Sequence, residues 1–122
     1  MVILQHKLPD PAPLGLGSFA MNTLVYSIFI IGGIKTNVGL GLALFHGGAI
    51  QVLAGMWEMW LGNTFPATVF TSYVGFWISF GFIFLPSSGI HDAYAGNEEA
   101  FEHAVGFFLS AWAFCKYSKL KN

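Results

Sequence analysis

The sequence predicts an all-α fold: a polytopic helical bundle integral to a membrane, with about four transmembrane helices. Three observations predict it. Of 122 residues, 55% are hydrophobic and 17% aromatic, while only 9% are charged; a soluble domain carries about a quarter charged residues. The few charges are also clustered, leaving residues 11–34, 36–57 and 59–91 with none. One helical crossing of a hydrocarbon core about 30 Å thick takes roughly 20 residues. Each of the first two stretches therefore fits one span, and the third fits a span and a turn. The third observation concerns the alternatives. So few charges cannot cover a water-soluble globule of this size, and the alternating segments of about ten residues that a transmembrane β-barrel needs are missing from the pattern.

The elements follow in order. Residues 1–13 form a polar, proline-broken leader ending in PDPAP, and a transmembrane domain occupies residues 14–117. Span 1 covers about residues 14–31 and closes at Gly32, Gly33 and Lys35. Span 2 covers about 38–61 and ends at Gly62 and Asn63. Thr64 is placed to cap the next helix, with Pro66 in its first turn, where a missing backbone N–H is tolerated. Span 3 covers about 66–84 and stops at Pro86, Ser87, Ser88 and Gly89. A polar loop then leads into span 4, about 99–117, with acidic residues in its first turn and lysines past its last, as the helix dipole favours. Residues 118–122 form a tail. With four spans, Lys7, Lys116, Lys119 and Lys121 share one side and Lys35 stands alone on the other, so the positive-inside rule places both termini in the cytoplasm.

Three helices carry small or polar faces, which point at other helices or at a pathway and not at lipid. Ser18, Asn22 and Tyr26 lie one turn apart on span 1, with Phe19 and Thr23 alongside. Thr68, Thr71, Ser72, Gly75 and Ser79 recur at helical spacing on span 3, next to Tyr73. Gly39, Ala43 and Gly47 form a ridge on span 2 that continues through Gln51 and Gly55 toward Glu58. The ridge reads as a helix-packing surface. The hydroxyl face of span 3 reads either as packing or as the wall of a pathway. Two separate helices presenting uncharged hydroxyl and amide groups at membrane depth favour the pathway, because a small carboxylate needs donors without a fixed cation that would trap it. Glu58 is an intramembrane carboxylate near the cytoplasmic end, flanked by Trp57 and Trp60. A hydrogen bond from a neighbouring helix accounts for it first and a proton-linked role second. His46 lies deeper and reads first as a satisfied hydrogen-bonding residue, with a proton-linked role second. The aromatic residues Phe76, Trp77, Phe80, Phe82 and Phe84 read as packing or lipid-facing groups.

Several classes are excluded as expectations. The net charge of −1 and the lack of a basic patch give no nucleic-acid partner. The single Cys115 permits no internal disulfide. No metal spacing, cofactor motif or nucleophile–base pair appears, so no metal, no cofactor and no enzyme activity are expected. The leader does not have the form of a secretory signal peptide.

Four motifs in order resemble a known family. DPAPLGL, formed by Asp10, Pro11, Ala12, Pro13, Leu14, Gly15 and Leu16, resembles the NPAPLGL signature that opens the acetate uptake transporters, the succinate–acetate permeases, with Asp10 standing where the family has asparagine. FHGGAIQVLAGMWEMWLGNTF (residues 45–65) resembles the family's second helix and following turn, with His46 in a position usually tyrosine. TSYVGFWISFGFIFLP (71–86) and GIHDAY (89–94) resemble the third helix and its loop. The match runs from about residue 9 to 115 and is closest to the fungal branch. It implies a six-helix subunit, assembled as a hexamer in the plasma membrane, that moves acetate, with succinate or a link to ammonia (ammonium) export in some members. It also implies a Phe–Tyr–Leu constriction, in which Phe19 and Tyr73 take the first two places. The leucine belongs to a fifth helix, so the chain is expected to be cut short after the fourth.

The resulting expectation is a transporter or channel for acetate-like monocarboxylates, with lipid and small carboxylate anions as its partners and a homo-oligomer as its state. Phe19 and Tyr73 would form the constriction, with Asn22, Thr23, Thr71, Ser72 and Gln51 along the pathway and Glu58 and His46 as proton-linked groups. The competing expectation is a shortened, non-transporting subunit or relic that joins full-length relatives through the ridge of Gly39, Ala43 and Gly47.

Overall fold

The structure, a computed structural model, describes residues 9–33 and 36–119. Lys7, Lys35 and Lys121, which enter the orientation reading, lie outside them. Among the described residues every regular element is helical, and three helices are long and apolar enough to cross a membrane: α1 (Ala12–Ile31), α2 (Gly39–Trp60) and α3 (Thr64–Phe84). The fourth, α4 (Glu98–Lys119), occupies the place expected of span 4 and has the length. It does not join the other three on composition, because Glu98, Glu99, Glu102 and His103 fall inside the helix.

Helix boundaries follow local chemistry. α1 starts two residues before the expected position, because Pro13 fits the first turn and the Asp10 carboxylate accepts the Ala12 N–H at 2.9 Å. α3 begins at Thr64 itself, so the expected Thr64 cap is corrected: Asn63 holds the cap position, and its side chain turns elsewhere. The α3 end is as the sequence reads, with Leu85 extended ahead of Pro86. α4 has a cap the sequence reading passed over, the Asn97 Oδ1 accepting the Ala100 N–H at 3.1 Å.

α2 departs from a uniform α-helix. Between Leu42 and Ile50 it widens into a π-helix. Gly39, Ala43, Gly47 and Gln51 are spaced by four, and in an ideal 3.6-residue helix each such step drifts about 40° around the axis. The wider turn takes up that drift, and all four positions are buried along one face.

That face fixes the bundle. α1 and α2 run antiparallel, with Gln51 reaching Gly15, Ser18 reaching His46, and Gly39 lying against Tyr26. α2 and α3 are antiparallel too: Gly47 lies against Trp77, Gly55 against Thr71, and Gly81 against Leu44. The glycine at 47 is required by space, since a Cβ there would stand 2.6 Å from the Trp77 ring. α1 and α3 are parallel, joined by Phe19–Tyr73 and by Tyr26 with Trp77 and Phe80. α4 leans on α3 through aromatic contacts of Phe76 with Phe108 and Trp112, and of Phe84 with Phe101.

The bundle buries polar side chains beside an aromatic core and turns large apolar ones outward. Its largest fully buried side chains include Gln51, Glu58, Asn22 and Ser18, while Ile31, Val38, Phe45 and Trp60 are each 70% or more exposed. Exposure on that scale suits a surface covered by lipid or by further helices. Trp77 and Phe80 are core residues and Phe82 is exposed, so the aromatic residues of α3 divide between packing and the lipid face.

Candidate functional site

The residues singled out in the sequence fall into two adjoining sets along α1, a ring contact with α3 and a buried polar seam with α2. On the outer side, Phe19 and Tyr73 meet with ring centroids 4.4 Å apart at 45°. They meet because α1 and α3 are parallel and the small residues between α1 and α2 and between α2 and α3 bring the three axes close. Thr23 stands one turn above Phe19, and Ser72 adjoins Tyr73. The neighbouring hydroxyls are tethered: Thr23 donates to the Phe19 carbonyl at 2.9 Å, Ser27 to Thr23 at 2.7 Å, Thr68 to Thr64 at 2.8 Å, and Ser72 to Thr68 at 2.6 Å. Each accepting carbonyl belongs to the residue four earlier, the usual bond for a helical hydroxyl. Thr71 donates to Ala67 at 2.8 Å and turns its methyl toward Gly55, at the edge of this set.

On the inner side lie Asn22 and Gln51, which the sequence reading put along the pathway. Both are completely buried. Asn22 Nδ2 donates to the Ser18 carbonyl at 2.8 Å, and Gln51 Nε2 donates to the Gly15 carbonyl at 3.4 Å. The Ser18 hydroxyl donates to the His46 carbonyl. These residues form a seam between α1 and α2 that adjoins the Phe19–Tyr73 contact. On α1, Asn22 lies three residues after Phe19, about 60° from it around the axis, so the seam borders the ring contact.

The two ionisable groups of α2 also part company. Glu58 is 1% exposed and its Oε2 accepts a hydrogen bond from Asn63 Nδ2 at 2.7 Å. The Asn63 N–H donates to the Glu58 carbonyl at 2.9 Å, so one residue clamps both ends of the other across the Leu61–Gly62 turn. The partner is thus the turn and not a neighbouring helix. Gly62 makes the turn possible with φ of +83°. His46 is half-buried, and its Nδ1 has no partner among the described residues. No group of three or more His, Cys, Asp or Glu residues suited to a metal occurs among the described residues.

The signature residues open α1. Pro11 is buried at the cap, Asp10 bonds Ala12, and Gly15 packs under Phe70, whose ring would stand 2.5 Å from a Cβ. Ala12 is half-buried, while Pro13, Leu14 and Leu16 are exposed.

Comparison with known proteins places this geometry in a family. Residues 1–119 match the model of the GPR1/FUN34/yaaH family. The chain is 48% identical over 111 residues to ammonia transport outward protein 2 of Saccharomyces cerevisiae, covering 88% of this chain and 39% of that protein. It is 43% identical over 114 residues to acetate permease A of Emericella nidulans, 88% of this chain and 38% of the relative. With the succinate-acetate/proton symporter SatP of Escherichia coli K12 it shares 39% over 108 residues, 87% of this chain and 54% of the symporter. The chain therefore spans about two-fifths of the length of its fungal relatives and about half of the bacterial one. No solved structure matches it. The motifs from Asp10 to Tyr94, the apolar helices and the match over residues 1–119 agree, and the chain belongs to the GPR1/FUN34/yaaH family.

Proposed function

We propose that this chain forms part of a membrane pathway for acetate and related short monocarboxylates, with Phe19 and Tyr73 at its narrowest point. The observation that carries the reading is the ring contact at 4.4 Å between residues from two different helices, bordered on both helices by hydroxyls. An apolar ring excludes bulky or strongly hydrated solutes, while hydroxyls above and below replace part of a carboxylate's hydration shell. The tethered hydroxyls suit that task. The carbonyl each one bonds keeps its own helical N–H, so the O–H swings to a passing anion at small cost. Thr23 and Ser72 have this role, with Thr71 at the margin; Asn22 and Gln51 support the wall from behind.

The names of the relatives support this substrate class: acetate permease, succinate-acetate/proton symporter and ammonia transport outward protein. Succinate and a link to ammonia movement belong to the same proposal, as do a plasma-membrane location, four spans with both termini cytoplasmic, and an oligomer of hexameric type. Transport, not catalysis, is the activity. Glu58 and His46 are the groups through which a proton gradient would act, with Glu58 held ready by Asn63. The rival reading, a subunit that joins relatives through Gly39, Ala43 and Gly47, is disfavoured because that ridge is buried against Tyr26 and Trp77 within the chain.

Labelled acetate flux into proteoliposomes holding the 122-residue chain tests the proposal. Uptake well above that of empty liposomes, with a wider solute range in Tyr73→Ala, is the expected result. Absence of uptake from stably inserted protein, or unchanged selectivity in Tyr73→Ala, would overturn it.

A further inference from the structure

The inner seam carries more unmet hydrogen-bonding capacity than a packing surface needs. Asn22 and Gln51 both donate their amide N–H to a carbonyl of α1. Turning either amide over would set oxygen against oxygen, so the carbonyls fix the orientation and leave Asn22 Oδ1 and Gln51 Oε1 as buried acceptors. Both oxygens lack a partner among the described residues, and so do the buried Tyr26 hydroxyl and Trp77 Nε1. Three of the residues that carry them are neighbours in the fold. Asn22 is one turn from Tyr26, the Tyr26 and Trp77 rings are 5.6 Å apart, and Trp77 packs on Gly47, opposite the Ser18–Asn22 turn of α1. Away from water each orphaned group is destabilising, so a cluster of them in a lipid-embedded bundle implies a guest.

We propose that internal water occupies the seam between α1, α2 and α3, with its principal site bounded by Asn22 Oδ1, Tyr26 and Trp77 Nε1. The donor set selects the guest. Asn22 Oδ1 only accepts and the indole N–H only donates, so the guest must do both. A carboxylate has no proton to give Asn22 and would be repelled by its oxygen; a metal or ammonium cation cannot accept from Trp77. Water does both, and a buried water commonly makes about three hydrogen bonds, the number this site offers. Gln51 Oε1, two turns below, bounds a second position. The site lies further along the α1–α3 interface than the Phe19–Tyr73 contact, two turns on along α1 at Tyr26 and one along α3 at Trp77, and the buried Ala54 and Gly55 separate the seam from Glu58.

Proton-detected NMR of the full chain in lipid nanodiscs, with nitrogen-15 in the indoles, tests this. The chain has four tryptophans, and the Trp77 signal is the one lost in Trp77→Phe. The expected result is magnetisation transfer from water to the Trp77 N–H that persists when acetate is added and falls several-fold in folded Asn22→Leu. A Trp77 signal that receives magnetisation from lipid chains and none from water overturns the proposal. So does loss of the water transfer on adding acetate, which would make the seam a substrate site. The wild-type measurement decides the matter even where Asn22→Leu does not fold.

Discussion

At the scale of single residues, the clamp between Glu58 and Asn63 shows how a carboxylate is tolerated at the end of a membrane helix. Its two hydrogen bonds, at 2.7 and 2.9 Å, come from one turn residue. Asn63 is exposed and can rehydrate, whereas Glu58 is buried, so the two halves of the pair are unequal. Asn63→Ala leaves a buried acceptor unmet and is expected to destabilise by about 2 kcal/mol. Glu58→Gln keeps a carbonyl for Asn63 and is expected to cost less than about 1 kcal/mol. Unfolding in mixed micelles measures both, and the double variant gives the coupling, expected at 0.5 kcal/mol or more. The sequence singled out Glu58 because a carboxylate among apolar residues stands out. It passed over Asn63, which looks like any turn residue. The partners of Asn22 and Gln51 were not legible for a related reason: helical spacing tells which residues share a face but not which neighbour the face meets.

At the scale of elements, the close approach of α2 to its neighbours rests on small residues at four-residue spacing. Gly47→Ala puts a methyl group 2.6 Å from Trp77 and is expected to destabilise by about 1–3 kcal/mol. Gly17→Ala is the matched control, because its position on α1 is open and alanine is the better helix former by up to about 1 kcal/mol. Thermal unfolding of the two variants in detergent should move in opposite directions. The helices themselves were legible in charge-free runs, glycine pairs and prolines. The π-helical stretch Leu42–Ile50 was not, since hydropathy carries no mark of a widened turn. A trace of it does exist: a ridge repeating strictly at four cannot stay straight on an α-helix.

At the scale of the whole molecule, sequence patterning conveyed the class of fold because lipid demands long uncharged helices whatever their arrangement. It did not convey the arrangement, which depends on Gly15 beneath Phe70 and Gly47 beneath Trp77 as facing pairs. The fourth helix was the hardest to read, and its attachment explains why. It meets α3 by aromatic edges such as Phe84–Phe101 and keeps Phe107 and Phe114 exposed, so one side follows no soluble or membrane pattern cleanly. Orientation is testable on the same scale. In a Cys115→Ser background, Ser87→Cys places the thiol in the exposed turn after α3. With four spans and cytoplasmic termini, an impermeant maleimide should label it from outside the cell and not from inverted vesicles. The reverse pattern would invert the bundle.

The Glu58–Asn63 clamp has a consequence for biogenesis. α2 and α3 enter the membrane as consecutive segments, and a bare carboxylate on the first would resist partitioning out of the translocon. Asn63 follows Glu58 by only five residues, so it emerges from the ribosome almost together with the group it protects. The carboxylate is hydrogen-bonded once the turn closes and needs nothing from α4 for it. The hairpin thus carries the solvation of its carboxylate within itself.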